Sequence, residues 1–461
     1  YREVYLCYMH EIVSKQRTFF NSQKTKELSF RLQQLKTLEK VLKLNEKLLL
    51  EAIYKDFKKS SFETYATELA LVYQEIAHAK KYLSAWARPK RVATNWVNFP
   101  AKSYIIPEPL GVCLVIGAWN YPYNLSFSPV VAAIAAGNTV ILKPSEIPSE
   151  TSRVMNQLIS EHFDEAFFAV VEGGVAETTE LLKQKFDKIF FTGSTPVGKI
   201  IYKAAAEQLT PVTLELGGKS PAFVTASASI AMTAKRLVWG KFLNAGQTCI
   251  ATDYVMVDEA IEAKFLEACK REIEKANYAF ENNNYVQIIN DNNFERLASL
   301  IDTDKMYYGG STDASQRYIQ PTILHNVGFE DTVMQDEIFG PILPVITYTH
   351  LSEAIQKVQQ LPKPLSCYVF TTKASERKQI LNTLSFGGGA VNDTVMHITN
   401  SNLPFGGVGL SGMGSYHGEA GFKTFSHYKS ILHKANWLEL PLKYSPLSNK
   451  KLWWIKQFFK F

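Results

Sequence analysis

Residues 188–198, Lys-Ile-Phe-Phe-Thr-Gly-Ser-Thr-Pro-Val-Gly, join an apolar run to the start of a helical pattern through a short turn of small residues. Pro196 suits the first turn of a helix, where its missing N–H is no loss. The free N–H groups of a helix that follows a strand can bind a phosphate. The stretch holds Gly193 and Gly198 but not the third glycine of the usual dinucleotide pattern, so taken alone it is more often an ordinary turn.

The segments on both sides repeat this order of strand and helix. Strand-like apolar runs are predicted at 112–118, 139–142, 168–171, 188–191 and 212–216, with helical runs at 129–136, 149–163, 177–186 and 196–207. Such alternation predicts a parallel sheet covered by helices on both faces. Ligands bind such sheets beyond the carboxyl ends of the strands. One rim should therefore carry the loops at 119–122, 143–146, 192–194 and 215–218.

The rest of the chain divides into three further regions. Residues 219–415 repeat the alternation more loosely and predict a second α/β domain, with helical patterns at 229–243, 259–278, 291–301 and 352–360. Residues 10–88 show helical periodicity and predict an N-terminal helical layer. Residues 91–107 read as extended, with Pro100 and Pro107 as breaks, and predict a protruding hairpin.

Composition and charge exclude several classes of protein. The chain has 461 residues, 46% of them hydrophobic, which is enough for two or three domains. Its net charge of +6 lies mostly in residues 441–461, which hold five lysines and no acid. The nearly neutral body argues against a nucleic-acid partner. The five cysteines show no metal-ligand spacing, and no apolar run reaches the ~18 residues of a membrane span, so we expect a cytoplasmic protein without a metal.

Cys249 is the candidate nucleophile. It lies in residues 240–250, Gly-Lys-Phe-Leu-Asn-Ala-Gly-Gln-Thr-Cys-Ile, among small and polar neighbours where a core would hold bulky side chains. A buried, inert thiol is the usual alternative for any single cysteine. That alternative is the one we expect for Cys113 and Cys367, which lie in strand-like runs, and for Cys269, which lies in a helical pattern.

Three polar residues follow predicted strands or turns and could support such a nucleophile. Asn120 could donate its amide to a developing oxyanion, although asparagine also favours turns for local reasons. Glu215 ends a strand just before Gly217 and Gly218, where it could act as a general base through water. Glu337 is a second acid beside a turn. Either acid could equally be a helix-end or surface residue.

Lys143 and Glu146 follow the second predicted strand and lie three residues apart. One helical turn would bring the ammonium and the carboxylate together, where they could hold the hydroxyl groups of a ribose. A solvated surface ion pair is the alternative interpretation.

Residues 10–440 resemble the aldehyde dehydrogenase superfamily, in particular its class 3 branch, which includes the fatty aldehyde dehydrogenases. The matching stretches are 119–122, 143–146, 191–198, 214–221, 242–250, 337–341 and 403–427 (LPFGGVGLSGMGSYHGEAGFKTFSH). The resemblance implies an α/β fold with a Rossmann-type NAD-binding domain, an α/β catalytic domain, a small β oligomerisation element and a C-terminal tail. Their expected ranges are 1–90 with 108–214, then 215–423, then 91–107 with 424–440, and finally 441–461.

The same resemblance implies NAD(P)-dependent oxidation of an aldehyde to a carboxylic acid. Cys249 would add to the aldehyde as a thiolate and give a thiohemiacetal, whose oxyanion the Asn120 amide and the Cys249 N–H would hold. Hydride transfer would leave a thioester, and water activated by Glu215 would hydrolyse it, with Glu337 as another possible base. A relative that passes the thioester to coenzyme A is an alternative that Glu215 argues against. A catalytically silent protein on this scaffold is another, and intact Cys249, Asn120 and Glu215 argue against it.

Cofactor and partner assignments also come from the resemblance. It implies that the cofactor residues are Lys143 and Glu146 at the adenosine ribose, Gly193, Ser194 and Gly198 at the phosphates, and Glu337 and Phe339 at the nicotinamide. We expect NAD, with NADP possible, and a homodimer of the class 3 type. The tail resembles the gatekeeper helix of fatty aldehyde dehydrogenases. It predicts a funnel for long or bulky hydrophobic aldehydes and, secondarily, peripheral contact of residues 441–461 with a membrane surface.

Overall fold

The computed structural model describes residues 2–459 of the chain, without the side chains of residues 2–7 and Phe458. Two predicted ranges therefore lie partly outside the described residues. They are the expected NAD-binding domain at its start, Tyr1, and the tail 441–461 at the Phe458 side chain and at Lys460 and Phe461.

The helices cover much of the N-terminal region and alternate with strands thereafter. In chain order they are α1 Arg2–Asn21, α2 Leu28–Leu44, α3 Glu46–Phe57, α4 Ser61–Thr64, α5 Ala70–Trp86, α6 Pro122–Ala136, α7 Ser149–His162, α8 Val175–Leu182, α9 Thr195–Glu207, α10 Ile230–Phe242, α11 Glu262–Ala276, α12 Asp291–Ala298, α13 Thr332–Gln335, α14 Leu351–Gln359, α15 Ala374–Thr383, α16 Gly418–Thr424 and α17 Asn449–Phe458.

The strands form two large sheets, a three-stranded sheet and a small two-stranded one. In chain order they are β1 Lys90–Val92, β2 Ala101–Pro109, β3 Val112–Ile116, β4 Thr139–Lys143, β5 Phe168–Val170, β6 Lys188–Thr192, β7 Val212–Glu215, β8 Pro221–Val224, β9 Tyr254–Asp258, β10 Met306–Tyr308, β11 Thr312–Asp313, β12 Tyr318–Ile319, β13 Thr322–Leu324, β14 Ile342–Tyr348, β15 Ser366–Phe370, β16 Gly388–Val391, β17 Gly412–Met413 and β18 Ser426–Lys434.

The first large sheet has the order β17-β7-β6-β3-β4-β5 and is parallel apart from β17. Its strands are buried on both faces because alternate side chains enter different cores. Cys113 and Val115 pack with α5, α6 and α7, whereas Leu114 and Ile116 pack with α1, α8 and α9. The chain order reverses between β3 and β6, which is where such sheets bind ligands.

The second large sheet has the order β10-β13-β14-β9-β8-β15-β16 and is parallel apart from β10. Helices α10 and α11 cover one face through a separate apolar cluster that contains Leu237 and Phe265. The hairpin predicted at 91–107 is present as β1 and β2, which pair antiparallel. Strand β18 pairs with the whole length of β2, from Ser426 opposite Pro109 to Lys434 opposite Ala101.

The helix prediction at 129–136 needs correction, and helices α13, α15 and α16 were not predicted. Helix α6 begins at Pro122 and not at residue 129, so Pro129 lies inside it. Every residue of α6 is buried, and a helix buried on all faces lacks the amphipathic period that would mark its start. Helix α15 was not predicted, because Ile380 is its one buried residue and its apolar pattern is correspondingly weak.

Candidate active site

Cys249 lies on a short loop that follows α10. The preceding turn has three consecutive residues in left-handed conformations, Asn244 at φ 54°, Ala245 at φ 50° and Gly246 at φ 73°. A Cβ at Gly246 would lie 2.5 Å from the carbonyl carbon of Gly340, so both the backbone angle and the available space call for glycine. Cys249 is partly exposed. The other cysteines with described side chains that we expected to be inert, Cys113, Cys269 and Cys367, are buried.

The surroundings of Cys249 disfavour a thiolate. Although part of the Cys249 residue is exposed, the surrounding protein desolvates its thiol, and this burial together with the negative charges of Glu337 and Glu215 raises the pKa of Cys249 to about 12. The fold therefore brings the thiol within electrostatic range of both candidate acids. A thiol with so high a pKa is neutral near neutral pH, so it needs a nearby base to become a nucleophile.

Glu215 is the last residue of β7 and is buried. Within residues 2–459, neither of its carboxylate oxygens has a hydrogen-bond partner. Burial raises its pKa well above the ordinary value for glutamate. A Cβ at Gly406 would lie 3.1 Å from Glu215 Oε1, so this glycine leaves room beside the carboxylate. An unpaired buried carboxyl group in such a place is typical of a functional site.

Glu337 approaches the same region from the loop before β14. A Cβ at Gly217 would lie 2.6 Å from its carboxyl carbon, so the Gly217-Gly218 turn is what admits the Glu337 side chain. Burial raises the pKa of Glu337 to about 8, and the charge of Asp253 adds to that effect. A carboxyl group that titrates near neutral pH is suited to general base catalysis.

Asn120 contacts the loop that carries Cys249. Its Nδ2 donates to the Gln247 carbonyl oxygen at 3.0 Å, and Asn244 Nδ2 donates back to the Asn120 carbonyl oxygen at 2.9 Å. An amide nitrogen has two N–H bonds, so one remains for another acceptor. The next residue, Tyr121, is also tied to this loop, because its hydroxyl lies 2.6 Å from Thr248 Oγ1.

Phe339 follows Glu337 on the same loop, with a positive φ of 50°. Its ring packs edge-on against the ring of Trp119, with 5.4 Å between the centroids. The Trp119 loop follows β3 and the Glu337 loop precedes β14, so this contact joins the rims of the two large sheets.

Lys143 ends β4 and is 1% exposed, which excludes the solvated surface pair considered above. Its Nζ donates to the Pro144 carbonyl oxygen at 2.6 Å and lies 3.7 Å from Glu146 Oε2. Burial lowers the pKa of Lys143. An ammonium has three N–H bonds, so a donor remains for a ribose hydroxyl, while the half-exposed Glu146 supplies an acceptor.

The glycines around α9 serve close packing. A Cβ at Gly193 would lie 2.5 Å from the Phe191 ring, and one at Gly198 would lie 2.7 Å from Leu216 Cδ2. The Gly193 N–H donates to the Glu215 carbonyl oxygen at 3.0 Å. Ser194 precedes α9, and in the described chain its side chain makes no capping hydrogen bond. The helix N-terminus is thus left to a ligand, and together with Lys143 it fits the phosphates and ribose of a dinucleotide.

Several residues near the site were not predicted from the sequence. Tyr416 has a buried hydroxyl without a partner among residues 2–459, and burial together with the charges of Glu215 and Cys249 raises its pKa. Tyr416 lies inside residues 403–427, one of the stretches that resemble the aldehyde dehydrogenases. That resemblance was the signal that could have identified it. Lys59 and Glu68 lie beneath Tyr121 and Tyr123. Nothing in their local pattern distinguishes them from the other charged residues of the N-terminal helices.

The chain belongs to the aldehyde dehydrogenase family, whose model matches residues 8–431. It oxidises aldehydes to carboxylic acids with NAD(P) as the cofactor. The rat enzyme called aldehyde dehydrogenase, dimeric NADP-preferring (Rattus norvegicus), is 46% identical over 427 residues, which are 92% of this chain and 94% of that one. Aldehyde dehydrogenase family 3 member A2 of Pongo abelii is 43% identical over 450 residues, 97% and 93% of the two chains. The predicted class 3 resemblance is thereby confirmed.

A solved structure supports the same assignment. The substrate-bound state of Staphylococcus aureus AldH matches with a TM-score of 0.94 at 45% identity, over 98% of this chain and 99% of that chain. The predicted α/β fold of the aldehyde dehydrogenase type is confirmed. In the described part of the chain, every helix is too short or too polar to cross a membrane.

Proposed function

We propose that Cys249 is the nucleophile of this aldehyde dehydrogenase. The observation that carries the proposal is a partly exposed thiol on a loop bonded to Asn120 and within electrostatic range of two buried acids. Glu337 or Glu215 takes the thiol proton, and the thiolate adds to the aldehyde carbonyl to give a thiohemiacetal. The remaining Asn120 N–H and the Cys249 N–H hold the oxyanion.

Deacylation requires a second proton transfer. When bound, the nicotinamide of NAD(P) would accept the hydride that the thiohemiacetal carbon loses as it becomes a thioester. The thioester on Cys249 is then cleaved by a water molecule that loses its proton to a carboxylate, and the acid leaves as the thiol is restored. Glu215 is our first candidate for this base because its carboxyl group is buried, unpaired within the described residues and beside Gly406. Glu337, with a pKa near 8, is the alternative.

Substitution of the thiol tests the nucleophile. Cys249→Ala should abolish aldehyde-dependent reduction of the cofactor, because the carbonyl carbon cannot become tetrahedral without an attacking group. Cys269→Ala is the matched control, since this thiol is buried on α11 in a separate apolar cluster and should leave turnover intact. Retained turnover in Cys249→Ala would refute the assignment.

The base is identified by where the reaction stalls. Glu215→Gln should give a rapid burst of reduced cofactor equal to the enzyme concentration and then very slow turnover, because the thioester accumulates. Mass spectrometry of the intact chain should then detect the acyl adduct. If Glu337→Gln accumulates the adduct and Glu215→Gln does not, the roles are reversed.

For the cofactor we propose NAD in preference to NADP. The half-exposed Glu146 carboxylate lies 3.7 Å from Lys143 Nζ, where it can accept a bond from a ribose 2′-hydroxyl but repels a 2′-phosphate. Glu146→Gln removes the repulsion and should lower the KM for NADP more than that for NAD. An unchanged ratio of the two KM values would contradict this account.

We further propose hydrophobic aldehydes of medium or long chain, or aromatic ones, as substrates, with the tail shaping their entry. The described side chains that support this are Leu452, Trp453 and Trp454 of α17 and Phe459 directly after it, all exposed and therefore available to an apolar ligand. Deletion of residues 441–461 should lower kcat/KM for long-chain aldehydes and leave short ones unaffected. An unchanged chain-length preference would exclude the funnel. The second proposed role of the tail is peripheral contact with a membrane surface. If it makes that contact, the full chain should float with anionic vesicles and the deletion variant should not.

We infer a cytoplasmic homodimer assembled through the three-stranded sheet. The name of the rat relative includes "dimeric", and in this chain β18 exposes Tyr428, Ile431 and Leu432. Apolar side chains on an open sheet are typical of an assembly surface. Sedimentation equilibrium should give twice the 52.0 kDa of one chain, and Ile431→Lys with Leu432→Lys should give the monomer.

A further inference from the structure

A cluster of charged residues between α3 and α5 lies beneath the two loops of the candidate site. Lys59 Nζ and Glu68 Oε1 are 2.7 Å apart, and neither side chain has any exposed surface. A buried ion pair of this kind contributes little net stability, because desolvation offsets the attraction between the charges. What the pair contacts is therefore more informative than the pair itself.

Glu68 holds the loop that carries Asn120. Its second oxygen, Oε2, accepts a hydrogen bond from the Tyr123 N–H at 2.8 Å and lies 3.5 Å from the Asn124 nitrogen. Both N–H groups belong to the first turn of α6. A carboxylate in that position is stabilised by the helix dipole and fixes where the helix begins. Asn120 lies three residues before Tyr123, so fixing the start of α6 also restrains the position of Asn120.

Lys59 acts on both loops through Tyr121. Its Nζ lies 4.0 Å from the centre of the Tyr121 ring, in the geometry of a cation–π interaction. At the far end of the same ring, the Tyr121 hydroxyl lies 2.6 Å from Thr248 Oγ1. Thr248 directly precedes Cys249, so one aromatic side chain spans from the buried ammonium to the nucleophile loop.

Glu63 holds the other end of the nucleophile loop. Its Oε1 accepts a hydrogen bond from the Asn244 N–H at 2.8 Å. Asn244 and Ala245 are the non-glycine residues of the left-handed turn, a conformation that persists only where neighbouring groups impose it. The side chain of Asn244 then bonds the carbonyl oxygens of Asn120 and Gln247 at 2.9 and 3.1 Å, which closes the network.

We propose that Lys59, Glu63 and Glu68 are positioning residues that fix the loop of Asn120 and the loop of Cys249 relative to each other. The inference rests on the proposed roles of Cys249 and Asn120. None of the three charged groups needs to touch the substrate. They act because an oxyanion donor and a nucleophile must keep their separation, and a displacement of about 1 Å costs on the order of 10²-fold in rate.

Three variants and one control test this inference. Glu68→Gln keeps an acceptor for the Tyr123 N–H but removes the charge, and Lys59→Met removes the cation. Lys59→Met combined with Glu68→Gln removes both charges of the ion pair, so that neither is left buried without its partner, and it carries the test if a single variant does not fold. The control is Asp56→Asn, because Asp56 accepts from the Glu150 and Thr151 N–H groups at 3.0 and 2.8 Å at the start of α7, an element that carries neither loop.

The measurements are kcat and KM with an aldehyde, the rate at which iodoacetamide alkylates Cys249, the Kd for NAD and the melting temperature. In the cluster variants kcat/KM should fall by about 10²-fold, with a changed alkylation rate and a Kd for NAD within about twofold of wild type. Asp56→Asn should lose melting temperature but keep kcat/KM and the alkylation rate, which separates positioning from general destabilisation.

Two results would overturn the inference. If Glu68→Gln and the double variant keep wild-type kcat/KM and alkylation while Cys249→Ala is inactive, the cluster does not position the site, although the proposed function stands. If Cys249→Ala keeps its turnover, the proposed function itself fails and this inference fails with it, whatever the cluster variants do.

Discussion

Gly246→Ala is expected to damage both stability and activity, by amounts that follow from the turn before Cys249. At φ 73° an alanine pays about 1–2 kcal/mol for the left-handed conformation. Its Cβ would also lie 2.5 Å from the carbonyl carbon of Gly340 and 3.1 Å from the nitrogen of Pro341. Carbon atoms normally approach to about 3.5–4.0 Å, so relief requires a shift of about 1 Å.

Both obstacles to that Cβ are backbone atoms, so no side-chain rotation can relieve the overlap. Overpacking of this kind costs about 1–3 kcal/mol, which gives about 2–5 kcal/mol in total with the conformational term. The turn lies three residues before Cys249, and a shift of about 1 Å there should lower kcat by about 10²-fold.

Urea unfolding of the apo protein and steady-state kinetics measure the two effects separately. Gly328→Ala is the matched control, because its φ is ordinary and the described chain has no atom within 4 Å of its added Cβ. The control should change the free energy of unfolding by less than about 0.5 kcal/mol. A Gly246→Ala variant with the stability and kcat of the control would show that the turn before Cys249 accepts a side chain at this position.

Three further predictions concern single side chains. Glu337→Gln removes a negative charge that, after burial, helps to raise the pKa of Cys249 to about 12, so that pKa should fall and iodoacetamide alkylation at about pH 9 should accelerate; an unchanged rate would contradict this. Glu215→Gln should raise the melting temperature near pH 8. Burial raises the pKa of Glu215 in the folded protein above its value in the unfolded chain, so the carboxyl group destabilises the fold as the pH rises from the unfolded pKa towards the folded one. A neutral amide has no such effect. A variant that melts no higher than wild type would contradict this prediction. Arg31→Met should cost about 3 kcal/mol in urea unfolding with kcat unchanged, since the buried guanidinium donates to the carbonyl oxygens of Thr25, Lys26 and Ala135; a cost below about 1 kcal/mol would show that water satisfies those groups.

The sequence predicts the first sheet well because its period and its edges are both local properties. Each strand is a short apolar run, and each is followed at once by a polar or glycine-containing loop. Parallel register then brings the strand ends together, with Ile116 opposite Lys143 and Thr192 opposite Glu215. The rim loops were therefore predictable without knowledge of any contact, because the strands that lead to Asn120, Lys143 and Glu215 belong to one sheet.

What the sequence could not predict depends on contacts between distant residues. The Glu63 to Asn244 hydrogen bond joins positions 181 residues apart, and the Glu68 to Tyr123 bond joins positions 55 apart. No periodic pattern encodes such pairs, so Lys59 and its partners look like ordinary helix-surface charges. The high pKa of Cys249 is likewise set by burial and by two acids that only the folded chain brings near it.

Glu215 and Glu337 are the residues of the site whose burial is expected to reduce the free energy of unfolding. Glu215 has no partner among the described residues, and the carboxyl group of Glu337 is pressed against Gly217 with a pKa near 8. A fold optimised only for stability would pair or remove both groups. The proposed mechanism accounts for two acids beside a thiol of pKa about 12, because it needs one proton acceptor for the neutral nucleophile and one for the attacking water molecule.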